Sequence, residues 1–259
     1  MAEQSGPLAG KVAVVMGVAN QWSIGYAIAE SLANAGAKLA ITYRAERSLR
    51  DATKLVELVP GSKAFQCDVD SDDDIDKLGD DLKAEYGVVD TLVHSIAFAP
   101  PAELRGRFIE TTREGFITAH AVSVYSLIAA AQRISPLMTN GGSIMTLSYL
   151  GADRVFPQYN VMGVAKAALE STVRYLAADL GDARIRVNAL SAGPIKTKSA
   201  RGIPGFSTMK DAAADKSPIK GELTAKQVAD VAAFLASDAA SGITGETIII
   251  DNGFHVLGI

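Results

Sequence analysis

The sequence predicts an α/β fold in which a single doubly wound parallel sheet carries helices on both faces. Apolar runs alternate with segments of helical period from one end of the chain to the other, which is the rhythm of successive β-α-β units. The strand-like runs are continuously apolar, and strands that are covered on both faces show that pattern. No linker, repeat or low-complexity stretch interrupts the series. We therefore expect one domain over residues 1–259.

The predicted elements follow one another with short links between them. The strands are predicted at 11–17, 38–43, 63–68, 91–97, 143–149, 186–191 and 246–251, and the helices at 24–35, 46–58, 72–86, 113–138, 159–180 and 224–236. Gly36 ends the first helix, and acidic residues open the helix at 72–86, where they complement the positive end of the helix dipole. The segment at about 193–217 is rich in Gly, Pro, Ser and Lys and lacks a strong period. A long, weakly structured segment in a compact domain favours a functional loop or lid over a tolerated insertion.

Composition and charge exclude several classes of function. The chain has 259 residues, of which 25 are Lys or Arg and 29 are Asp or Glu, so its formal net charge is −4. A mildly acidic chain has no general attraction to nucleic acid or to an anionic membrane, and the longest apolar run, 12–19, is too short to span a bilayer. Cys67 is the single cysteine, and three histidines with one thiol cannot form a zinc-type cluster by spacing. We expect a cytoplasmic protein with no bound metal, no nucleic-acid partner and no membrane segment.

The first predicted β-to-α turn has features of a dinucleotide site. In open α/β sheets, ligands bind beyond the carboxyl ends of the strands, where the strand order reverses. The turn runs from Gly17 to Gly25 and places Ser23 directly before the first helix, where backbone amides and the helix dipole favour an anion. The spacing is not GxGxxG, so the indication comes from the position of the turn after the first strand.

Residues after the second and third strands bear on the identity of the nucleotide. An acidic residue after the second strand would bind a ribose 2′-hydroxyl, but this chain has Tyr43-Arg44-Ala45 there. Arg44 can pair with a 2′-phosphate, or it can cover the adenine edge of a cofactor that lacks this phosphate; the sequence leaves both open. Asp68 and Val69 follow the third strand and can frame the adenine, although Asp68 would serve equally well as a cap of the helix behind it.

Tyr159 and Lys166 form the most informative spacing in the chain. Seven residues make nearly two helical turns, so both side chains face the same way on a helix. A nearby ammonium is expected to lower the pKa of the phenol from its ordinary value of about 10, and lysine can also bind ribose hydroxyls. Tyrosine and lysine often share a helix face without function. Tyr149, a second phenol at the end of the fifth strand, makes a catalytic set the stronger interpretation.

A set of motifs along the chain adds to these features: 17–25 (GVANQWSIG), 94–100 (HSIAFAP), 112–116 (TREGF), 147–151 (LSYLG), 159–163 (YNVMG), Lys166, 186–189 (RVNA) and 191–195 (SAGPI). With them the sequence resembles the short-chain dehydrogenase/reductase superfamily and, more closely, its enoyl-[acyl-carrier-protein] reductases of the bacterial type I group. Most of the superfamily carries Tyr-x3-Lys, which would need lysine at Gly163; the six-residue spacer marks the enoyl-reducing branch. The resemblance covers nearly the whole chain and implies a Rossmann-like fold of the short-chain dehydrogenase type.

The resemblance implies a homotetramer that reduces the trans C2=C3 bond of an enoyl thioester on acyl carrier protein in fatty acid biosynthesis, with NADH or NADPH as hydride donor. It implies that Tyr159 hydrogen-bonds the thioester oxygen and supplies or relays a proton, that Lys166 holds the ribose, and that Tyr149 is a second donor or a wall of the pocket. Ala99 matches the residue whose backbone touches the substrate. The residues that match dinucleotide contacts are Gly17, Ser23, Ile24, Arg44, Asp68, Val69, Ile96, Lys166, Ile195, Lys196, Thr197, Lys198 and Ser199.

By the same resemblance, the segment at 193–217 is a substrate-binding loop. The apolar residues that can close over an acyl chain and exclude water are Ile195, Ile203, Phe206 and Met209. The basic residues that either dock an acidic carrier protein or are simply solvated are Lys196, Lys198, Arg201 and Lys210.

The resemblance leaves the preferred nucleotide and two rival functions to be separated. Relatives with Gln in place of Arg44 favour NADH, so Arg44 suggests tolerance of NADPH, while Ala45 argues against a complete phosphate site. A carbonyl-reducing short-chain dehydrogenase, such as a β-ketoacyl reductase, would carry its lysine at Gly163. A non-catalytic dinucleotide sensor would have lost Tyr159 or Lys166, and both are present. The sequence therefore predicts an enoyl-thioester reductase.

Overall fold

The computed structural model describes residues 6–197 and 206–258, and within them seven parallel strands form one sheet. The strands are β1 (Val12–Met16), β2 (Lys38–Tyr43), β3 (Lys63–Gln66), β4 (Thr91–His94), β5 (Gly142–Ser148), β6 (Ile185–Ala192) and β7 (Thr247–Ile250). Their order across the sheet is β3-β2-β1-β4-β5-β6-β7. The predicted doubly wound α/β fold is confirmed.

Helices cover both faces of this sheet. They are α1 (Ile24–Asn34), α2 (Glu46–Val56), α3 (Asp72–Tyr86), α4 (Arg113–His120), α5 (Ser126–Ile134), α6 (Asn160–Leu180), α7 (Phe206–Lys216) and α8 (Ala225–Ala236). In β1, Ala13 and Val15 enter the core shared with α1, α2 and α8, while Val14 and Met16 enter the core shared with α3 to α6. Burial on both faces is why the central strands are continuously apolar in sequence. Because the two cores share one sheet, we propose a single domain over residues 1–259.

The strand order reverses at the pair β1 and β4. β1 pairs with β2 on one side and with β4 on the other, so the chain builds outward from this pair in both directions. Met16 and His94, the last residues of the two strands, are partners in the register. The turns that follow them therefore face each other across the crevice where open α/β sheets bind their ligands.

The predicted helix at 113–138 is interrupted. It consists of α4, a five-residue π turn (Ala121–Tyr125), α5 and a short 3₁₀ turn (Ser135–Leu137). A π turn accommodates an extra residue in a helix, and here it brings two buried serines to the end of β4. Ser126 donates to the Val122 carbonyl at 2.6 Å, and Ser123 bonds outside the helix. The spacing of apolar residues does not predict such a local change of hydrogen bonding.

The same region has the length and composition of a membrane-spanning helix. The run Arg113–Leu137 has 25 residues and a mean hydropathy of 1.2 in its best window. In the structure, 56% of that window is buried within the protein. Burial of this extent is typical of a core helix, because helices that are apolar on most sides belong either to large cores or to membranes.

The segment at 193–217 contains a helix that the sequence analysis did not predict. α7 begins at Phe206 and ends at Lys216, so the expectation of a weakly structured segment is wrong for this part. Phe206 and Ala213 are its buried residues, and two buried positions in eleven residues give too weak a period to be recognised. Residues 198–205 lie outside the described part of the chain.

Candidate active site

The turn after β1 closes against the end of β4. Gly17 has a φ of 90°, and a Cβ at this position would lie 2.1 Å from the Ser95 carbonyl oxygen, so only glycine fits. Gly25 also lies against Ser95, since a Cβ there would be 3.0 Å from the Ser95 hydroxyl oxygen. Ser23 is the N-cap of α1 and accepts a hydrogen bond from the Tyr26 amide at 3.2 Å. The result is a backbone cradle at a helix N-terminus, the kind of site that suits a pyrophosphate.

Arg44 and Asp68 meet at the ends of β2 and β3. The Arg44 Nε donates to Asp68 Oδ2 at 2.7 Å, and the arginine side chain is 63% exposed. Asp68 does not cap the following helix, because Ser71 is the N-cap of α3; that interpretation of Asp68 is wrong. Val69 packs at the edge of the core. The exposed Arg44 guanidinium is thus paired with a carboxylate that would repel a second negative charge bound at the same place.

Tyr159 lies directly before α6, and its side chain is buried against the loop after β5. A Cβ at Gly151 would come 2.5 Å from the Tyr159 ring, and a Cβ at Gly163 would come 2.8 Å from the Gly151 carbonyl oxygen. These two glycines therefore let α6 approach the end of β5. The same contact excludes a lysine at Gly163, the position that the Tyr-x3-Lys arrangement would require.

The backbone around Tyr159 is strained. Gln158 and Asn160 have φ values of 64° and 40°, in the left-handed region that non-glycine residues rarely adopt. The Asn160 side chain donates to the Gly106 carbonyl at 3.4 Å, which ties this segment to the loop after β4. Two outliers of this kind, one on each side of Tyr159, are typical of sites at which the surrounding fold imposes a geometry.

Lys166, in the second turn of α6, faces the end of β5. Its side chain is buried, and its Nζ donates to the Leu147 carbonyl at 2.6 Å. Burial lowers the pKa of Lys166 to about 8, against an opposing contribution from Glu170. Leu147 O is the one hydrogen-bond acceptor that the described residues supply to this ammonium, so two of its three N–H groups remain for a ligand.

The expected effect of Lys166 on the phenol is wrong. Burial raises the pKa of Tyr159 well above its ordinary value, and the neighbouring Tyr149 raises it further. Burial likewise raises the pKa of Tyr149. Desolvation of two adjacent phenols outweighs the influence of a lysine whose ammonium is bonded to Leu147. Tyr159 therefore stays protonated, as a hydrogen-bond donor must.

Tyr149 forms part of an apolar wall beside Tyr159. The rings of Tyr149 and Tyr159 meet edge to face with centroids 5.1 Å apart. The ring centroid of Phe156 is also 5.1 Å from that of Tyr149. The Tyr149 hydroxyl donates to the Met209 sulfur at 3.0 Å, so α7 lies against this wall. The cleft between them is also lined by Phe254 of the C-terminal segment.

The loop after β4 is held by residues that the sequence analysis missed. Ser123, in the π turn, accepts from the Phe98 amide at 3.0 Å and faces the Phe98 carbonyl at 3.2 Å, which fixes the backbone next to Ala99. The ring of His94 lies between Ser126 and Thr146, at 2.8 and 3.1 Å. Burial lowers the pKa of His94 to about 3, so the ring is neutral. Serines inside an otherwise apolar helix were the available signal.

The residues predicted in the loop at 193–217 differ in burial, and some of them lie outside the described residues. Ile195 is buried, Lys196 is exposed and Thr197 is half-buried, whereas Lys198, Ser199, Arg201 and Ile203 lie outside the described residues. Lys210 is not a free surface charge. Its ammonium pairs with Asp211 at 3.0 Å and with Glu222, and its side chain is only 11% exposed.

Among the described residues, the possible metal ligands are His, Cys, Asp and Glu side chains. No group of three or more His, Cys, Asp or Glu side chains in 6–197 and 206–258 is placed to hold a metal ion. What these residues do bring together at one edge of the sheet is a backbone cradle, a neutral phenol donor and a buried ammonium.

Known proteins are similar to this chain in sequence and in fold. A family model described as enoyl-(acyl carrier protein) reductase matches residues 17–255. The chain is 47% identical over 253 residues to the NADH-dependent enoyl-[acyl-carrier-protein] reductase FabI of Bacillus cereus, covering 97% of this chain and 99% of the relative. It is 46% identical over 252 residues to the NADPH-dependent FabI of Staphylococcus aureus, covering 96% and 98%.

Solved structures give the same result. The crystal structure of the Bacillus cereus reductase with NADP+ and indole naphthyridinone has a TM-score of 0.95 and 47% identity, over 98% of this chain and all (100%) of that one. The reductase of Anaplasma phagocytophilum in complex with NAD has a TM-score of 0.94 and 42% identity, with coverage of 100% and 99%.

Proposed function

Because this chain belongs to the enoyl-[acyl-carrier-protein] reductase family, we propose that Tyr159 and Lys166 are its catalytic pair. The protein is an NADH- or NADPH-dependent oxidoreductase of fatty acid biosynthesis, which reduces the trans-2 double bond of an enoyl thioester. The observation that supports the residue assignment is that two buried side chains, Tyr159 directly before α6 and Lys166 within it, lie beside the end of β5 and the loop that follows it. The resemblance stated from the sequence is confirmed.

Tyr159 is proposed to stabilise the charge that the reaction creates. When bound, the reduced nicotinamide supplies a hydride to the β-carbon of the enoyl thioester. The electron pair of the double bond then moves toward the carbonyl, so the thioester becomes an enolate with negative charge on its oxygen. The Tyr159 hydroxyl donates a hydrogen bond to this oxygen and supplies or relays the proton that ends on the α-carbon. One preorganised donor to a developing oxyanion contributes about 3 kcal/mol.

Lys166 is proposed to orient the cofactor. Its buried ammonium has two N–H groups beyond the bond to Leu147, and two adjacent ribose hydroxyls are suitable acceptors. A hydrogen bond from a charged donor to a neutral acceptor contributes about 1.5–3 kcal/mol. The turn at Gly17 also fits a dinucleotide, because no side chain there would separate the backbone from a phosphate.

The remaining dinucleotide contacts are proposed around this pair. Arg44 and Asp68 lie at the adenosine end, where Arg44 can meet either a 2′-phosphate or the adenine edge. The other residues proposed to contact the cofactor are Ser23, Ile24, Val69, Ile96, Ile195, Lys196 and Thr197, together with Lys198 and Ser199, which lie outside the described residues. Tyr149 is supported as a wall of the thioester pocket by its contacts with Phe156 and Met209.

The substrate is an enoyl thioester of acyl carrier protein, and we propose that Ala99 contacts it through its backbone. Ser123 supports this role, because it holds both backbone polar groups of the preceding residue, Phe98. Of the basic residues near the loop, Lys196 is exposed and is the described candidate for contact with an acidic carrier. The paired Lys210 is not.

We further propose a homotetramer in the cytoplasm. Apolar side chains are exposed on α4, the π turn and α5, on α8 and on the outer strand β7: Phe116, Ile117, Tyr125, Ile128, Phe234 and Ile249. Exposed apolar surface on these elements is suited to contact with further copies of the chain. The net charge of −4 and the single buried thiol of Cys67 agree with a reducing compartment and with no nucleic-acid partner.

The assignment of the reaction is tested with two thioesters. The purified protein is expected to oxidise NADH or NADPH, followed at about 340 nm, when crotonyl thioester is added, and not when acetoacetyl thioester is added. Turnover is measured with each nucleotide in turn, which also gives the cofactor preference. Oxidation with acetoacetyl but not crotonyl thioester would identify a carbonyl reductase, and nucleotide binding with neither activity would identify a sensor.

The assembly is tested by light scattering during size-exclusion chromatography. The mass is expected to be four times the 27.1 kDa of one chain. Replacement of Ile117 and Ile128 by glutamate is expected to give smaller species, because each change places a charge on a surface that assembly buries. A monomeric wild-type protein would contradict the proposed tetramer and leave the catalytic assignment intact.

A further inference from the structure

Three successive residues, the last two of β5 and the one that follows, each engage a residue of α6 or the residue directly before it. The Leu147 carbonyl accepts from Lys166 Nζ at 2.6 Å, the Ser148 hydroxyl donates to Glu170 Oε1 at 2.5 Å, and the Tyr149 ring meets Tyr159. Lys166 and Glu170 are four residues apart and so lie on one face of α6, while Tyr159 directly precedes the helix. The proposed reaction uses Tyr159 and Lys166 but gives Glu170 no role.

Glu170 lies one turn beyond Lys166 and is half-buried at the junction of strand and helix. The charged groups that face it are Lys166 and Arg174 on α6 and Asp153 after β5. Burial raises the pKa of the Glu170 carboxyl, while the Ser148 hydroxyl and the two cations oppose the rise. Lys166 in turn faces Glu170 from its own helix and His94 from β4, and His94 is neutral. Glu170 is thus a carboxylate one turn from the buried ammonium; it is bonded to Ser148 rather than to Lys166, and its charge raises the pKa of Lys166.

We propose that Glu170 is a positioning residue of the reductase, which fixes α6 on the end of β5 through Ser148 and keeps the Lys166 ammonium charged. This inference rests on the proposed role of Lys166 in holding the cofactor. The hydrogen bond to Ser148 sets the depth at which α6 lies beside Tyr149, and the carboxylate offsets the cost of burying a cation. Both effects act on groups that touch the substrate or the ribose.

The charge effect has a definite sign. The pKa of Lys166 is about 8, and Glu170 contributes to raising it. Loss of the carboxylate charge therefore lowers the pKa of Lys166 further, so the ammonium deprotonates at a lower pH. Because a neutral amine is the weaker donor, cofactor affinity should fall as pH rises through this pKa, and should fall earlier without Glu170.

The test is the pH dependence of cofactor binding in the full-length protein. The dissociation constant for NADH or NADPH is measured by nucleotide fluorescence from about pH 6 to about pH 9 in wild type and in Glu170→Gln. Glutamine keeps the shape and an acceptor for Ser148 but not the charge. We expect the midpoint of the affinity loss to move down by about half a pH unit, with about threefold weaker binding at pH 8.5 and equal binding at pH 6.

Two further variants make the outcome decisive. Glu57→Gln, an exposed glutamate after α2, removes the same charge elsewhere and should leave the midpoint unchanged. Glu170→Asp, if Glu170→Gln does not fold, keeps the charge and should retain the wild-type midpoint while lowering kcat. An unshifted midpoint in Glu170→Gln would overturn the inference. If Lys166→Met also leaves the profile unchanged, the proposed role of Lys166 fails instead, which distinguishes the two.

Discussion

Replacement of Tyr159 by phenylalanine is expected to lower kcat by about 10²–10³-fold and to leave cofactor affinity within about twofold. The ring would keep its contacts with Gly151 and Tyr149, so the change removes one hydroxyl from an otherwise intact pocket. That hydroxyl is needed only where charge develops, on the thioester oxygen, and such interactions lower the barrier without strengthening substrate binding. The measurement is steady-state turnover of crotonyl thioester together with a binding titration of the reduced nucleotide.

A matched control for this change is Tyr86→Phe. Tyr86 also has a partly buried hydroxyl, which donates to the Leu39 carbonyl at 3.3 Å far from the proposed site. It should cost some stability and no activity. If Tyr159→Phe keeps wild-type turnover, another group donates to the thioester oxygen, and Tyr149 becomes the first candidate.

Replacement of Lys166 by alanine is expected to weaken binding of NADH or NADPH by about 10–100-fold. The ammonium is buried, bonded to Leu147 O, and retains two donors that ribose hydroxyls can use. Lys166→Met is the companion variant, because methionine fills most of the space of the lysine side chain and so removes the charge without leaving a cavity. Isothermal titration with each nucleotide measures the loss directly.

The control for the loss of a lysine is Lys77→Met. Lys77 is an exposed residue of α3 whose partner, Asp81, lies on the same helix. Nucleotide affinity should be unchanged in this variant. Normal nucleotide binding by Lys166→Ala would show that its assigned role is wrong, whatever its turnover.

The sequence predicts those features that depend on burial and chain order. Continuous apolar runs mark the strands because both faces of the sheet are covered, and the turn at Gly17 is recognisable because its position follows the first strand. The spacing of Tyr159 and Lys166 predicts that both lie on one helix, whereas Tyr159 directly precedes α6 and Asn160 has a φ of 40°, so their joint role stays a prediction. The structure adds a reason for the six-residue spacer, since Gly163 lies against the Gly151 carbonyl and leaves no room for a side chain.

Features that depend on hydrogen bonds between distant elements could not be predicted from the sequence. Ser123 in the π turn bonds to the backbone of Phe98, and residues 25 positions apart give no local pattern. Lys210 is engaged by Glu222 across a turn, so a count of basic residues overstates the charge of the loop. The raised pKa of Tyr159 reflects burial, which an isolated Tyr–Lys pair does not reveal.

The most direct test of the catalytic assignment is a crystal structure of the protein with the oxidised nicotinamide cofactor and a crotonyl thioester. We predict that the Tyr159 hydroxyl lies within about 2.6–3.2 Å of the thioester oxygen and that Lys166 Nζ contacts both ribose hydroxyls next to the nicotinamide. A complex in which these two side chains point away from the cofactor, or in which another donor occupies the thioester oxygen, would contradict the account.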